Sequence, residues 1–415
     1  MKRVELDKGR ENWEQVIQSH GITFSITQEE YEETGEFNHY WNEFATYVFT
    51  NEEIDAIEQA TLDCHDMALE TVEFMIEEAS KKESPFRFVL PENTLSSYDG
   101  IIDYIKYSFD EYKKGNPKFS DLYGRFDFVY SGGDSPIKML EYNADTPTGL
   151  LESSVEQWFW INELFPEYGQ FNLIHEMLIG ELSSLKKQLN GSIFHGAYSN
   201  YDVTGEELLT TMYILDCAQQ AGWNVDPSVS SISLETIQAN DDYTGFLDHN
   251  GNSLKNFFKL YPWEDLLAED FGPIIYENKL GGIIEPVWKT FISTKAFPAA
   301  MYHLFPENEY VLESYVNDDG GMEEYVKKAL YGREGDNIDI IANGVNISRG
   351  GDFGWEGYAY QEYFPLPNFK GEKHKNNYAV VGSWTIAGEP AGIGMRESDG
   401  LITTDYARFV PHIVS

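Results

Sequence analysis

Two short runs of alternating side chains, joined by a glycine-rich loop, constrain this chain more than any other feature. Residues 123–130 (YGRFDFVY) and 136–143 (PIKMLEYN) each follow a period of two and flank Ser-Gly-Gly-Asp-Ser. That pattern predicts two strands of one antiparallel hairpin. Side chains two apart on a strand point the same way, so Arg125 and Asp127 share one face, as do Glu141 and Asn143. A register centred on Asp134 sets Arg125 opposite Asn143 and Asp127 opposite Glu141. Four polar groups then meet on one patch. Two facing carboxylates repel unless a cation lies between them. A hard divalent ion held by oxygen ligands fits that need, and Mg²⁺ commonly takes one or two carboxylates together with phosphate oxygens. The plainer alternative is a solvated sheet face on which Arg125 and Lys138 neutralise the acids, and a bulge in either strand would upset the register.

The surrounding sequence reads as α+β, with antiparallel sheets flanked by helices. Residues 51–82 predict a long helix, with Asn51 as its cap, Glu52 and Glu53 at its positive end and Lys81 and Lys82 at its negative end. Ile54, Ile57, Cys64, Met67, Ala68, Val72, Met75 and Ile76 form its apolar stripe. Residues 28–48 are aromatic and polar, with Tyr31, Tyr40, Trp41 and Phe44. Further helices are expected over 97–113, near 150–165, and over 205–221 with Thr204 or Gly205 at the start. GGIIEPVW reads as a buried strand. Asn343-Gly344 marks one hairpin turn, and Ala387-Gly388-Glu389 a second between 378–386 and 390–396. Regular strand–helix alternation is missing, so a doubly wound fold is not expected.

Charge and cysteine content narrow the function classes. There are 70 acidic residues against 29 basic ones, a formal net charge of −41. Nucleic acid and anionic membranes would be repelled, whereas cationic small molecules such as polyamines would not; solubility or adaptation to salt is the plainer account of the surplus. With 42% hydrophobic and 15% aromatic residues the chain can build a core. Cys64 and Cys217 stand outside any CxxC pattern and lie in helix-like runs, where they are expected as buried fillers. The first residues lack the apolar core of a signal peptide, and no apolar run is long enough to span a bilayer. A cytoplasmic setting is the expectation. No GxxxxGK[ST] phosphate loop occurs, which disfavours a Walker-type ATPase.

The run RFDFVYSGGDSPIKMLEYNADTPTGLLE resembles the signature of the glutathionylspermidine synthase family. The likeness continues in order through FFKLYPWEDLL, EPVWKTFISTKAFPAAMYHLFPEN, VKKALYGREGDNI, YQEYFPLP, VGSWTIAGEPAGIGMRESDGLITT and RFVPHIV. The resemblance implies an ATP-grasp fold with a pre-ATP-grasp N-terminal region. The approximate subdivision is a pre-ATP-grasp and substrate region over 1–285 and an ATP-grasp region over 286–415. It implies an ATP- and Mg²⁺-dependent ligase joining a peptide-like acid to an amine or polyamine.

Residue by residue, Asp127, Glu141 and Asn143 fall on the family's Mg²⁺ positions. Arg125 falls on the arginine that contacts nucleotide or substrate carboxylate. Lys295 and Lys328 match two ATP-contacting lysines, and Arg333 matches the catalytic-loop arginine. Gln361 and Glu362 lie on the segment that meets adenine. Leu401, Ile402 and Thr403 follow Arg396 at the spacing of another nucleotide-contacting strand, and Arg396 itself is expected to touch substrate. Thr146 and Thr148 stand where relatives use serines for the acid substrate. Glu206 and Glu207 resemble an acidic pair that receives the polyamine, and Asp265 sits near another substrate contact.

The chain departs from that pattern in places. Ala329 replaces a usual proline, and two threonines replace serines. The likeness starts almost at Met1, so the N-terminal cysteine amidase domain of bifunctional relatives is expected to be missing. The alternatives left open are a non-catalytic nucleotide-binding protein, or an ATPase or kinase on the same fold.

Overall fold

The computed structural model describes residues 1–22, 40–190, 193–201, 205–333, 335–404 and 407–415; Tyr31 and Thr204 fall outside them. The hairpin forms, over Tyr123–Val129 and Lys138–Asn143. It makes up one side of a five-stranded antiparallel sheet that continues through Tyr378–Ile386, Glu389–Ser398 and Arg408–Val410. Strands far apart in sequence thus share one ladder, with Asp127 paired to Gly382 and Arg125 to Trp384.

The register is the predicted one at the site and differs beyond it. Arg125 faces Asn143 and Asp127 faces Glu141, but Phe128 then pairs with Met139. Leu140 is the extra residue of a bulge, the irregularity that sequence alternation does not reveal.

One face of this sheet packs on the long helix. Phe126 and Tyr142 are fully buried and stacked, with ring centroids 3.7 Å apart. Gly124 leaves room for that tyrosine, since a Cβ there would lie 2.7 Å from its ring. Thr61 on the helix meets Ser383 on the sheet at 2.7 Å. The helix runs Asn51–Ala79 and buries every residue of the predicted stripe. Its cap is Thr50, one residue before the expected Asn51. Thr50 Oγ1 accepts from the Glu53 amide and Glu53 accepts from the Thr50 amide, a reciprocal capping box. The helix stops before Lys81 and Lys82, which lie beyond its last turn.

The other predicted helices are found at Tyr98–Lys113, Gln157–Leu164 (preceded by a π-helical turn, Glu152–Glu156) and Glu206–Gln220. Both cysteines are free and buried.

A second five-stranded antiparallel sheet is ordered Ser314–Val316, Tyr358–Glu362, Tyr325–Ala329, Ile338–Ala342, Val345–Arg349. Its last hairpin turns on Asn343 and Gly344, both at positive φ. The turn at Ala387-Gly388 likewise has both residues at positive φ and joins Ile386 to Glu389.

Two sheets depart from the antiparallel expectation: Ala45–Phe49 pairs in parallel with His412–Val414, and a four-stranded sheet is parallel throughout. Ile283–Ile284, Phe257–Leu260, His195–Tyr198 and Ser231–Ser233 pair in parallel. Of GGIIEPVW only Ile283–Ile284 is strand, and Val287–Lys289 is a 3-10 turn.

A buried ion cluster ties these parts together. Lys289 is fully buried, pairs with Glu285, lies 3.5 Å from Asp121 and donates to the Tyr123 carbonyl at 2.7 Å. Glu285 also accepts from the Leu122 and Tyr123 amides. The start of the site-bearing strand is therefore fixed to the 283–293 segment. Among the described residues no helix is long and apolar enough to cross a membrane.

Candidate active site

The hairpin turns its polar face toward a cleft of about 980 Å³. Its far wall is the second sheet, and the segment 144–149 lies at one end. Arg125 is buried and lies across the floor. Its Nε and one terminal nitrogen donate to the two oxygens of Asp127 at 2.7 and 3.1 Å, and its other terminal nitrogen donates to the Thr148 carbonyl at 2.6 Å. Gly382 makes space for it, because a Cβ there would lie 2.9 Å from the arginine Cδ. Buried Trp384 supports the guanidinium, whose carbon lies 5.6 Å from the ring centroid.

Asn143 joins the two carboxylates. Its amide nitrogen donates to Asp127 at 3.2 Å and to Glu141 at 3.0 Å. Lys295, just before helix Ala296–Leu304, meets the second Glu141 oxygen at 2.8 Å. These two side chains remain 16% and 24% exposed, so an incoming group can reach them. Burial alone would raise the Glu141 carboxyl, but Lys295 and Lys328 outweigh it and hold it well below the usual carboxylate range.

Lys328 approaches from the opposite sheet. It donates to Gln361 at 2.9 Å, and both it and Gln361 reach the carbonyl of Leu140, at 3.5 and 3.3 Å. The bulge presents that carbonyl to the far wall. Burial, opposed by Glu141 and reinforced by Lys295, pushes the Lys328 ammonium down to about 8.

Arg333 lies in the loop after strand Tyr325–Ala329. It pairs with Glu264 and donates to the Thr146 hydroxyl at 3.2 Å. Arg396 donates to the Thr404 carbonyl at 2.9 Å. Glu206 and Glu207 begin helix Glu206–Gln220, and Glu207 lies 3.4 Å from the Ser199 amide. Glu362 lies on the cleft wall beside Gln361. Asp265, exposed on the cleft wall, is pushed up to about 6 by partial loss of solvent and by Glu264, with Arg333 pulling the other way.

All the residues singled out from the sequence line this one cleft. One local expectation differs: Leu401, Ile402 and Thr403 lie in a bend after strand Glu389–Ser398, not in a strand. Gly335 packs against them, so the Arg333 loop and this bend are in contact.

Sequence reasoning overlooked Tyr40, Asp145, Lys259 and Glu264. Asp145 and Lys259 form a fully buried pair, with Asp145 also accepting from the Trp263 amide at 2.9 Å. Their partners lie more than a hundred residues apart, so no local pattern announces them. Among the described residues no group of three or more His, Cys, Asp or Glu gathers as a metal site. A cation on the hairpin would rest on two carboxylates, one amide oxygen and ligand oxygens.

Comparison with known proteins follows the same outline. Residues 4–415 match the family described as glutathionylspermidine synthase preATP-grasp. A Haemophilus influenzae protein provisionally named an acid–amine ligase is 34% identical over 90% of this chain and 91% of its own length. A trypanothione synthetase of Crithidia fasciculata is 26% identical over 69% of this chain and 46% of its own. The bifunctional glutathionylspermidine synthetase/amidase of Escherichia coli is 25% identical over 70% of this chain and 49% of its own. The chain therefore aligns with about half of each of those two larger proteins. Among solved structures, a glutathione synthetase-like effector of Globodera pallida superposes with a TM-score of 0.50 at 9% identity, covering 88% of both chains, a likeness of fold alone.

Proposed function

The chain belongs to the glutathionylspermidine synthase preATP-grasp family, and on that footing we propose that it is an ATP- and Mg²⁺-dependent ligase joining a carboxylate to an amine. The observation that carries the proposal is the meeting of the hairpin's oxygen donors with Lys295 and Lys328 in one cleft. The fold reading that goes with it is an ATP-grasp, in which nucleotide lies between the central sheet and the sheet over 314–362. Residues 1–285 then carry the pre-ATP-grasp and substrate region and 286–415 the ATP-grasp region, to which the hairpin lends its polar face. A cytoplasmic setting belongs to the same reading.

The donor set suits a hard cation. Asp127 and Glu141 already converge on one amide nitrogen, and all three side chains carry oxygen. Mg²⁺ held there would neutralise charge on the nucleotide phosphates. Arg125 and Lys295 bring positive charge to the same two carboxylates.

The chemistry itself is positioning and charge neutralisation. An acid oxygen attacks the γ-phosphorus of ATP and ADP leaves, giving an acyl phosphate. The amine then attacks the acyl carbon, loses a proton, and inorganic phosphate leaves. Lys295 and Lys328 act as point charges on the phosphates. Arg333 faces the transferring group, beside Thr146, and Thr148 lies at the acid-substrate end with Arg125. Gln361, Glu362 and the bend 401–403 border the base. Glu206 and Glu207, with Arg396 and Asp265, border the space for an amine, for which a polyamine is the favoured class on charge grounds.

The test is ADP release across thiol peptides, amino acids and polyamines. ADP formation that requires both an acid and an amine is the expected result. ADP formed with neither makes the protein an ATPase, ADP formed with an alcohol alone makes it a kinase, and either outcome overturns the ligase.

A further inference from the structure

Glu264 lines the cleft, is only 4% exposed, and uses just one of its carboxylate oxygens. That oxygen accepts from Arg333, while the other, Oε2, is buried with no hydrogen-bond partner. A buried carboxylate oxygen left without a donor is costly, so native proteins rarely tolerate one without a use. Arg333 bonds the other Glu264 oxygen with one terminal nitrogen and the Thr146 hydroxyl with the second, and none of its N–H groups reaches Oε2.

The charge around it is also unbalanced. Arg333 feels three carboxylates: Glu264, Asp145 and Asp265. Against them stand two cations, Arg333 itself and Lys259, the latter already paired with Asp145. Burial first, and the neighbouring Glu264 second, push the Asp265 carboxyl up.

We propose that Glu264 anchors a substrate ammonium group, holding Arg333 with one oxygen and accepting an N–H of the bound ligand with the other. The anchor rests on the ligase reading and adds to it a residue outside the acidic pair at Glu206 and Glu207. It places the ammonium beside the guanidinium that faces the transferring group. The same chemistry fits the amine substrate or an α-ammonium on a peptide-like acid. Glu264 would couple the two events, since a ligand there completes the carboxylate that positions Arg333.

The experiment uses full-length protein, Mg-ATP, glutathione as the acid probe and spermidine as the amine probe, with ADP release as readout. Glu264→Gln keeps the shape and an oxygen for Arg333 but removes the charge. The KM of one probe should rise about ten- to a hundredfold, the value of one charged hydrogen bond, while the KM for ATP stays within about twofold. Glu264→Asp, which retains the charge one methylene further back, should recover part of the loss. A rise confined to spermidine assigns the anchor to the amine, and one confined to glutathione assigns it to the acid; both support it. Unchanged KM for both probes in an active wild type overturns the anchor alone, as does an equal loss for both probes and ATP. Wild-type protein that releases no ADP with any acid–amine pair defeats the ligase reading and the anchor together.

Discussion

Replacing Lys289 by methionine tests whether the buried ion cluster holds the site-bearing strand. The side chain is fully buried, between Glu285 and Asp121, and bonds the Tyr123 carbonyl. Methionine fills the volume but leaves Asp121, and Glu285 wherever it ionises, without a counter-charge. Breaking a buried pair in this way costs about 3–5 kcal/mol. The cost should also depend on pH. In the native protein burial pushes the Glu285 carboxyl up to about 7, although Lys289 pulls it down. A carboxyl whose folded pKa is raised keeps its stabilising contribution below the unfolded value and loses it as pH rises through the folded value. Without Lys289 the folded value moves higher still. Below about pH 7 Glu285 is protonated in both proteins and the difference is flat. Above it the wild type ionises while the variant resists, so the destabilisation grows by up to about 1.4 kcal/mol per pH unit. Urea unfolding followed by tryptophan fluorescence at pH 6.0, 7.0 and 8.5 reads this directly, with wild type measured alongside at each pH so that other carboxylates cancel. A cost under about 1 kcal/mol, or a cost that shrinks as pH rises, would refute the reasoning.

Three further outcomes are expected. Mg-ATP should raise the melting temperature of the wild type, and Asp127→Ala or Glu141→Ala should abolish that rise; unchanged ATP affinity in both variants removes the metal assignment. Arg333→Ala should bind ATP normally yet lose turnover by roughly 10²–10³, and wild-type phosphate release with the true substrates would take it out of catalysis. Thr50→Ala should lower stability by about 1 kcal/mol through loss of the capping box, measured as a urea midpoint, with ATP affinity unaffected.

The sequence was most informative where structure is local. Alternation placed Arg125, Asp127, Glu141 and Asn143 on one face, and the pairing at those four positions is as expected. The bulge was hidden because Leu140 is one more apolar residue in a strand that tolerates apolar residues on either face. The helix cap was misplaced although its signal was present: Thr50 has Glu53 three residues later, whereas Asn51 has Ile54. The parallel sheet left little trace, because its strands are two to four residues long and separated by long connections. Lys295 and Lys328 carry no distinctive pattern of their own, and only the resemblance to a family singled them out. Glu264 and the Asp145–Lys259 pair escaped even that, because their meaning depends on contacts across the fold.

The bulge at Leu140 has a consequence for mutational mapping. What Lys328 and Gln361 reach there is a main-chain oxygen. Every amino acid supplies that atom, so a side-chain scan will pass over position 140 as though it did nothing for the site. A one-residue deletion behaves differently. It would straighten the ladder, rotate the oxygen away and slip the hairpin by one place relative to Asp127. In this strand, tolerance of substitution should coexist with intolerance of length change.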